Sequence, residues 1–323
     1  MRVLLSSNHS YPAACKNGSG RKPRMFPSGS GFMIHDALAK GLAELGHEVF
    51  YHLPKGADEP LPEGVTLVRE PVTEVDILHT LTFRDHDLIQ CFERMGKPWV
   101  ATCHLDPTVP GRSIDTPILD NWIFVSRTLA HSLGRSRYVV NGIDPADFVF
   151  SDTKDDYFLF MASLEWADHK GLPVAIRLAQ RMGFRLVVAG TARTVDVIER
   201  MERLLLESGV DYVGDVRGVE RARLLSRARG VLFPAQVNEA FGLVMAEALM
   251  SGTPVIASSR GSCPEIVSKE VGFNCETEDD YVEAVERVRE ISPHACREKA
   301  MADFHYMRMT SDYLREYQAE VQG

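Results

Sequence analysis

Short apolar runs alternate with amphipathic helical stretches in two successive series, separated by a single polar break. That rhythm is the mark of parallel sheets covered by helices on both faces. In the first series the candidate strands are Arg2–Ser6, Glu48–His52, Thr66–Val68, Ile77–Thr80, Trp99–Thr102 and Trp122–Val125. Between the first two, Leu38, Leu42 and Leu45 recur at helical spacing, and Gly46 stops the helix. The break comes at Asn141-Gly142-Ile143-Asp144-Pro145 and the charged stretch Ser151 to Asp156. A second series follows, with strands Tyr157–Met161, Leu186–Ala189, Tyr212–Val213, Val231–Phe233 and Pro254–Ala257. The expectation is an α/β protein of two Rossmann-like, doubly wound domains, residues 1–150 and 151–303, facing a cleft. The helical stretch 304–323 would join the first domain. Ligands in such folds bind outside the carboxyl ends of the strands.

At 323 residues the chain is too long for one ordinary core. Apolar residues make up 45% and charged residues 25%, enough of each for a globular protein with a substantial interior. A net charge of -9 argues against nucleic acid as a partner, which needs clustered Lys and Arg. Cys15, Cys91, Cys103, Cys263, Cys275 and Cys296 show no metal-ligand rhythm and read as reduced thiols. The opening apolar run is too short for a signal peptide, and no stretch reaches the length of a membrane span. A soluble, cytoplasmic protein is expected, with a peripheral visit to a membrane left open.

The chemistry concentrates between Phe233 and Pro254. A strand ends at Pro234, a loop follows, and a helix is predicted to start near Phe241 or Gly242 and to stop at Gly252. The free amides and dipole of that helix start form a seat for a phosphate, and Gly242 lets the backbone approach an anion. Glu239 and Glu247 bracket the seat. Eight residues at the helical rise would separate them by roughly 12 Å, about the distance from a sugar ring across a diphosphate to a ribose. Carboxylates are good acceptors for vicinal hydroxyls. An ordinary reading also exists: Glu247 on a solvated helix face and Glu239 as a loop acid.

Here the chain resembles the retaining glycosyltransferases of family four, which have the GT-B fold. Their signature is two Glu separated by seven residues around a Glu-x-Phe-Gly-Leu core. Glu239-Ala240-Phe241-Gly242-Leu243 through Glu247-Ala248 is similar to it, as is Gly252-Thr253-Pro254-Val255-Ile256-Ala257. The resemblance implies that Glu239 holds donor-sugar hydroxyls, that Phe241, Gly242, Leu243 and Val244 hold sugar and diphosphate oxygens, and that Glu247 holds the ribose. Trp166-Ala167-Asp168-His169-Lys170-Gly171 looks like the family's Lys-Gly element, so Lys170 would neutralise the diphosphate. A cation about 4 Å from phosphate in a half-buried site is worth around 4 kcal/mol gross. The family's partner Arg is missing, and Ser163 stands at its place; Arg193, Arg217 and Arg260 are open substitutes.

In the first domain, Gly29 and Gly31 match a family loop whose amides reach the donor phosphate, and His104 matches a histidine that touches the donor sugar. His79 has similar placement with less support, and His47 reads as turn chemistry. Asn141 to Asp144 also matches the family, and its local reading is a turn with Gly142 at positive φ. Asp85-His86-Asp87 resembles a metal-binding pair only superficially and falls in a charged, helical stretch. The loop from Cys15 to Ser30, with Lys16, Arg21, Lys22 and Arg24, reads equally as an acceptor-side lid or as a solvated loop.

The resemblance implies a retaining transferase that uses no metal and no cofactor beyond its nucleotide-diphosphate sugar. The acceptor, a glycan, a small molecule or a lipid-linked hydroxyl, is left open. Two rival readings stand beside it: a nucleotide-sugar-binding protein without transfer activity, suggested by the missing Arg, and a sugar-nucleotide epimerase.

Overall fold

The structure, a computed structural model, describes residues 1–13, 31–81, 85–109 and 118–323. It divides at Asp144/Pro145 and again at Asp303/Phe304 into two compact units, the first of which takes back the C-terminal residues 304–323. Each unit contains one six-stranded parallel sheet, and the fold is of the GT-B type.

In the first unit β1 (Arg2–Ser6), β2 (Glu48–His52), β3 (Val65–Val68), β4 (Ile77–Thr80), β5 (Trp99–Cys103) and β6 (Trp122–Phe124) run in the order β3-β2-β1-β4-β5-β6. Strands β4, β5 and β6 are buried on both faces, as a helix-covered parallel sheet requires, and apolar except for His79 and Thr80 of β4 and Thr102 of β5. Helix α1 (Gly31–Glu44) buries Leu38 and Leu42; Leu45 falls just past its end and is exposed, so only two of the three predicted leucines serve the core. Helices α2 (His86–Arg94) and α3 (Arg127–Ser132) follow β4 and β6.

In the second unit β7 (Phe158–Met161), β8 (Leu186–Ala189), β9 (Asp211–Gly214), β10 (Gly230–Phe233), β11 (Val255–Ser258) and β12 (Gly272–Cys275) are ordered β12-β11-β10-β7-β8-β9. Counted within the unit, this is the same arrangement as in the first. Strand β12 is the one the sequence reading missed: Gly272-Phe273-Asn274-Cys275 has a single large apolar residue. Helices α4 (Leu172–Met182), α5 (Val195–Glu207), α6 (Gly218–Arg227), α7 (Leu243–Met250), α8 (Cys263–Ile266), α9 (Glu278–Arg287) and α10 (Pro293–Asp303) accompany the strands. The core joins Phe158, Phe160, Leu178, Val188, Leu232 and Ile256.

The last helix, α11 (Tyr306–Gln322), is fixed to the first unit by shape and by buried polar bonds. Gly41 of α1 lies so close to it that a Cβ there would sit 2.2 Å from Thr310 Oγ1. His79 Nδ1 is 2.6 Å from the Tyr317 hydroxyl and its Nε2 is 2.7 Å from Thr102 Oγ1, which in turn is 2.9 Å from the Tyr313 hydroxyl. His79 is therefore an anchor for α11. Gly142 does not take the positive φ expected of it. A side chain there would meet Tyr306 Cα at 2.7 Å and Met309 Cβ at 2.8 Å, so the glycine is needed for the close approach of α11.

Candidate functional site

Strand order reverses between β7 and β10, which lie side by side in the second unit, and this switch point is where doubly wound sheets open a crevice. The segment after β7 carries Ser163 and Lys170; the segment after β10 carries Glu239 to Gly242. Gly171, at φ +83°, would place a Cβ 1.9 Å from the Pro234 carbonyl oxygen, so only glycine lets the two segments touch. Gln236 N–H donates to the His169 carbonyl at 2.7 Å and locks them together. Lys170 Nζ then forms an ion pair with Glu239 Oε2, with the Phe233 ring 5.2 Å beneath the ammonium. Both side chains are largely withdrawn from solvent, at 16% and 8% exposure.

Glu239 is clasped from behind as well. Gly261, at φ +58°, packs its Cα face against the Glu239 backbone, and Ser262 N–H donates to the Glu239 carbonyl at 3.0 Å. Ser262 Oγ donates to the Phe241 carbonyl at 2.9 Å. Gly242, at φ +82°, makes the left-handed turn into α7. The helix begins at Leu243, one residue past Gly242 and two past Phe241, the two starts expected from the sequence, because the left-handed residue cannot belong to it. The 12 Å helical spacing between Glu239 and Glu247 therefore does not apply: Glu239 lies in the loop. No side chain caps α7, which leaves the first-turn amides of Leu243 and Val244 pointing out of its end.

Glu247 is not on a solvated face. It is 1% exposed, and its Oε2 accepts from Arg221 Nη2 of α6, itself 7% exposed. Each acid of the pair thus has its own cation, and Arg221 was not foreseen because nothing local in the sequence ties α6 to α7.

At the place of the family's Arg, Ser163 Oγ donates to Glu165 Oε2 at 2.5 Å, and Glu165 Oε1 accepts from the Arg193 backbone N–H. An acid occupies the neighbourhood where a cation was expected. Of the three open arginines, Arg193 and Arg260 are exposed, whereas Arg217 is buried with its Nε donating to Asp215 Oδ2 at 2.7 Å. Arg260 lines a cavity of about 400 Å³ with Arg177, Gln236, Ser258 and Thr277, at the carboxyl ends of β10 to β12.

In the first unit the structure brings Gly31 and His104 together. His104 follows β5, and a Cβ on Gly31 at the start of α1 would meet its ring at 2.9 Å. Burial lowers the His104 pKa to about 4, and its Nε2 has no hydrogen-bond partner among the described residues. Gly29 and the 15–30 loop lie outside the described residues, apart from the question of their role. A further cluster went unread: His9 Nδ1 lies 2.8 Å from Ser7 Oγ and its Nε2 2.9 Å from Asp36 Oδ1, which also accepts from the Tyr51 hydroxyl at 2.8 Å. These residues are spread over a loop, α1 and β2, so no sequence spacing signals them. Asp85 of the Asp-His-Asp string accepts from Ser6 Oγ at 3.0 Å and precedes α2. Among the described residues, no group of three or more His, Cys, Asp or Glu could hold a metal ion, and no helix is long and apolar enough to cross a membrane.

With this geometry in place, similarity to known proteins adds a class. Residues 146–302 match the family model described as Glycosyl transferases group 1. An uncharacterized glycosyltransferase of Methanocaldococcus jannaschii is 30% identical over 153 residues, covering 42% of this chain and 39% of its own length. The chain thus spans well under half of that relative. Among solved structures, a glycosyltransferase involved in Avilamycin A biosynthesis superposes with a TM-score of 0.77 at 24% identity, covering 100% of this chain and 98% of its own. HepE of Anabaena, solved in complex with UDP-glucose, superposes with a TM-score of 0.72 at 14% identity, covering 99% and 100%.

Proposed function

We propose that this chain is a glycosyltransferase that moves a sugar from a nucleotide diphosphate to an acceptor hydroxyl, with retention of anomeric configuration and without a metal ion. The observation that carries the reading is the Lys170–Glu239 ion pair beside the uncapped start of α7, at the strand-order switch point. An anionic diphosphate would compete with Glu239 for the Lys170 ammonium, leaving the carboxylate to accept from sugar hydroxyls. The amides of Leu243 and Val244 would meet the phosphate oxygens. The family match over 146–302 supports the same class of reaction.

In the step itself the bond from the anomeric carbon to the phosphate oxygen breaks, and the acceptor oxygen bonds to that carbon on the same face. The acceptor's proton passes to the departing phosphate oxygen. Lys170 and the α7 amides stabilise the charge that develops on the leaving group. By the resemblance, His104 serves the donor sugar and Gly31 the phosphate.

The test starts with a thermal-shift screen of UDP, GDP and ADP, since a ligand of the folded state raises the melting temperature. The matching nucleotide sugars are then incubated with glycan, small-molecule and lipid-linked acceptors, with and without EDTA, and the product anomer is read by NMR. A product of the donor's anomeric configuration, formed equally with EDTA, is expected. An inverted product, or turnover abolished by EDTA, overturns the mechanism. The acid at Glu165 beside Ser163 favours a second reading, a nucleotide-sugar-binding protein without transfer activity. Tight donor binding with no turnover on any acceptor would favour it.

A further inference from the structure

Glu247 is the most deeply buried acid of the second unit's site, and only one of its oxygens is occupied. Arg221 Nη2 takes Oε2, while Oε1 is out of solvent and has no partner among the described residues. A buried carboxylate oxygen without a donor is costly, and native proteins rarely leave one so unless a ligand or water supplies the bond. The side chains of the pair come from two helices, α6 and α7, and are 7% and 1% exposed, so neither can swing out to pair elsewhere. The bond from Arg221 Nη2 places the guanidinium charge on the Oε2 side of the carboxylate.

From this we infer that Arg221 is a positioning residue which reserves one oxygen of Glu247, Oε1, for a single hydroxyl of the donor's pentose. The inference rests on the reading that a nucleotide donor sits at the start of α7. It goes further in one respect. A free carboxylate can accept from both vicinal hydroxyls of a ribose, one per oxygen. With Oε2 already bonded to the Arg221 guanidinium, Oε1 is the less shared acceptor, so the hydroxyl that reaches it is held more strongly and the two ribose hydroxyls become unequal in affinity. Arg221 does not touch the substrate; its effect passes through the orientation and charge of Glu247.

The experiment measures binding of UDP, 2′-deoxy-UDP and 3′-deoxy-UDP by calorimetry, with the GDP and ADP series as alternatives if one of those is the nucleotide that binds. In the wild type one deoxy analogue should bind at least about 10-fold more weakly than the parent, and the other within about 3-fold, the loss being that of a hydrogen bond to a charged acceptor. In Arg221→Gln the parent nucleotide should weaken about 10-fold and the inequality between the two analogues should collapse. In that variant KM for the sugar donor should rise while kcat at saturating donor stays within about 3-fold. Arg221→Lys, which keeps the charge and loses the planar fork, should fall between. Because Arg221→Gln strands a buried carboxylate and risks misfolding, Arg221→Met/Glu247→Leu removes both charges and the acceptor together. It should fold and bind both analogues equally. Equal losses for the two analogues in the wild type, or an inequality that persists in the folded double variant, would overturn the inference. Failure of every nucleoside diphosphate to bind the wild type would instead remove the donor reading beneath it.

Discussion

Gly31 lies flat against the imidazole of His104: a Cβ at Gly31 would stand 2.9 Å from Cδ2 and 3.0 Å from Nε2. No side chain makes such contacts at rest, so the ring or the start of α1 must shift to admit one. Gly31→Ala is expected to destabilise the first unit by about 1–3 kcal/mol through overpacking. His104→Ala in the same background should recover most of that loss, since neighbours in contact couple and distant sites add. Urea unfolding of the two single variants and the double variant measures the coupling. Additive losses would mean that the contact is not what makes glycine necessary at residue 31.

Glu239 depends on a glycine that is not its neighbour in sequence. Gly261 has φ +58°, and a Cβ there would lie 2.3 Å from Glu239 N and 2.4 Å from Glu239 O, both backbone atoms that cannot rotate away. Gly261→Ala combines strain and clash and is expected to cost about 2–6 kcal/mol. Gly209 has φ +71° with nothing within 4 Å of its would-be Cβ, so Gly209→Ala carries the strain alone, about 1–2 kcal/mol. The difference between them, by denaturant unfolding, isolates the clash. Donor binding should fall in the Gly261 variant and stay unchanged in the Gly209 variant.

The fold was legible because parallel strands buried on both faces must be largely apolar: β7, β8 and β10 are so throughout, and β1 is so at Val3, Leu4 and Leu5. Strand β12 escaped because its pairing with β11 needs Gly272 beneath the Val255 carbonyl more than it needs apolar side chains. At the site, Lys170, Glu239 and Glu247 stood out as motif residues, and the structure gives each an ion-pair partner. What could not be read were long-range relations. Arg221 reaches Glu247 across 26 positions of chain, and Asp36 joins His9 from 27 positions away. Local periodicity carries no information about which helices meet. Gly142 shows the opposite error: a turn-like string suggested a backbone conformation, whereas the residue is small because α11 passes over it.

Three histidines of the first unit are held neutral by the fold. Burial lowers the pKa of His104 to about 4 and that of His79 to about 3, and burial aided by its histidine neighbours pushes His35 well below the usual range. Their contribution to stability is complete above pH 6.5, where folded and unfolded chains are both uncharged at these rings. As pH falls from 6.5 towards 4 and then 3, the unfolded chain takes up protons that the folded chain refuses. Stability should drop by about 1.4 kcal/mol per pH unit for each histidine across that window. His35 offers a clean control, because neither ring nitrogen has a partner among the described residues. His35→Leu should lose no stability at pH 7 and should remove one histidine's share of the acid slope, read from urea midpoints between pH 7 and 4.5. An unchanged slope would show that His35 is protonated in the folded protein.

The Lys170–Glu239 pair separates folding from turnover. Lys170 is 16% exposed and its ammonium is shared between Glu239 and the face of Phe233, so Lys170→Ala removes a charge partner without opening a deep cavity. At 8% exposure the Glu239 carboxylate is then left without its cation. The expected loss of stability is about 1–3 kcal/mol. Turnover should suffer more, because the ammonium acts where charge develops on the leaving diphosphate; removal of one such preorganised group costs about 10²–10³-fold in kcat. Lys170→Arg should restore charge but not the point geometry and recover part of the rate. Steady-state kinetics with the nucleotide sugar found in the screen, beside urea unfolding of the same preparations, decides the matter. A folded Lys170→Ala protein with wild-type kcat would take Lys170 out of the chemistry and leave it a structural partner of Glu239.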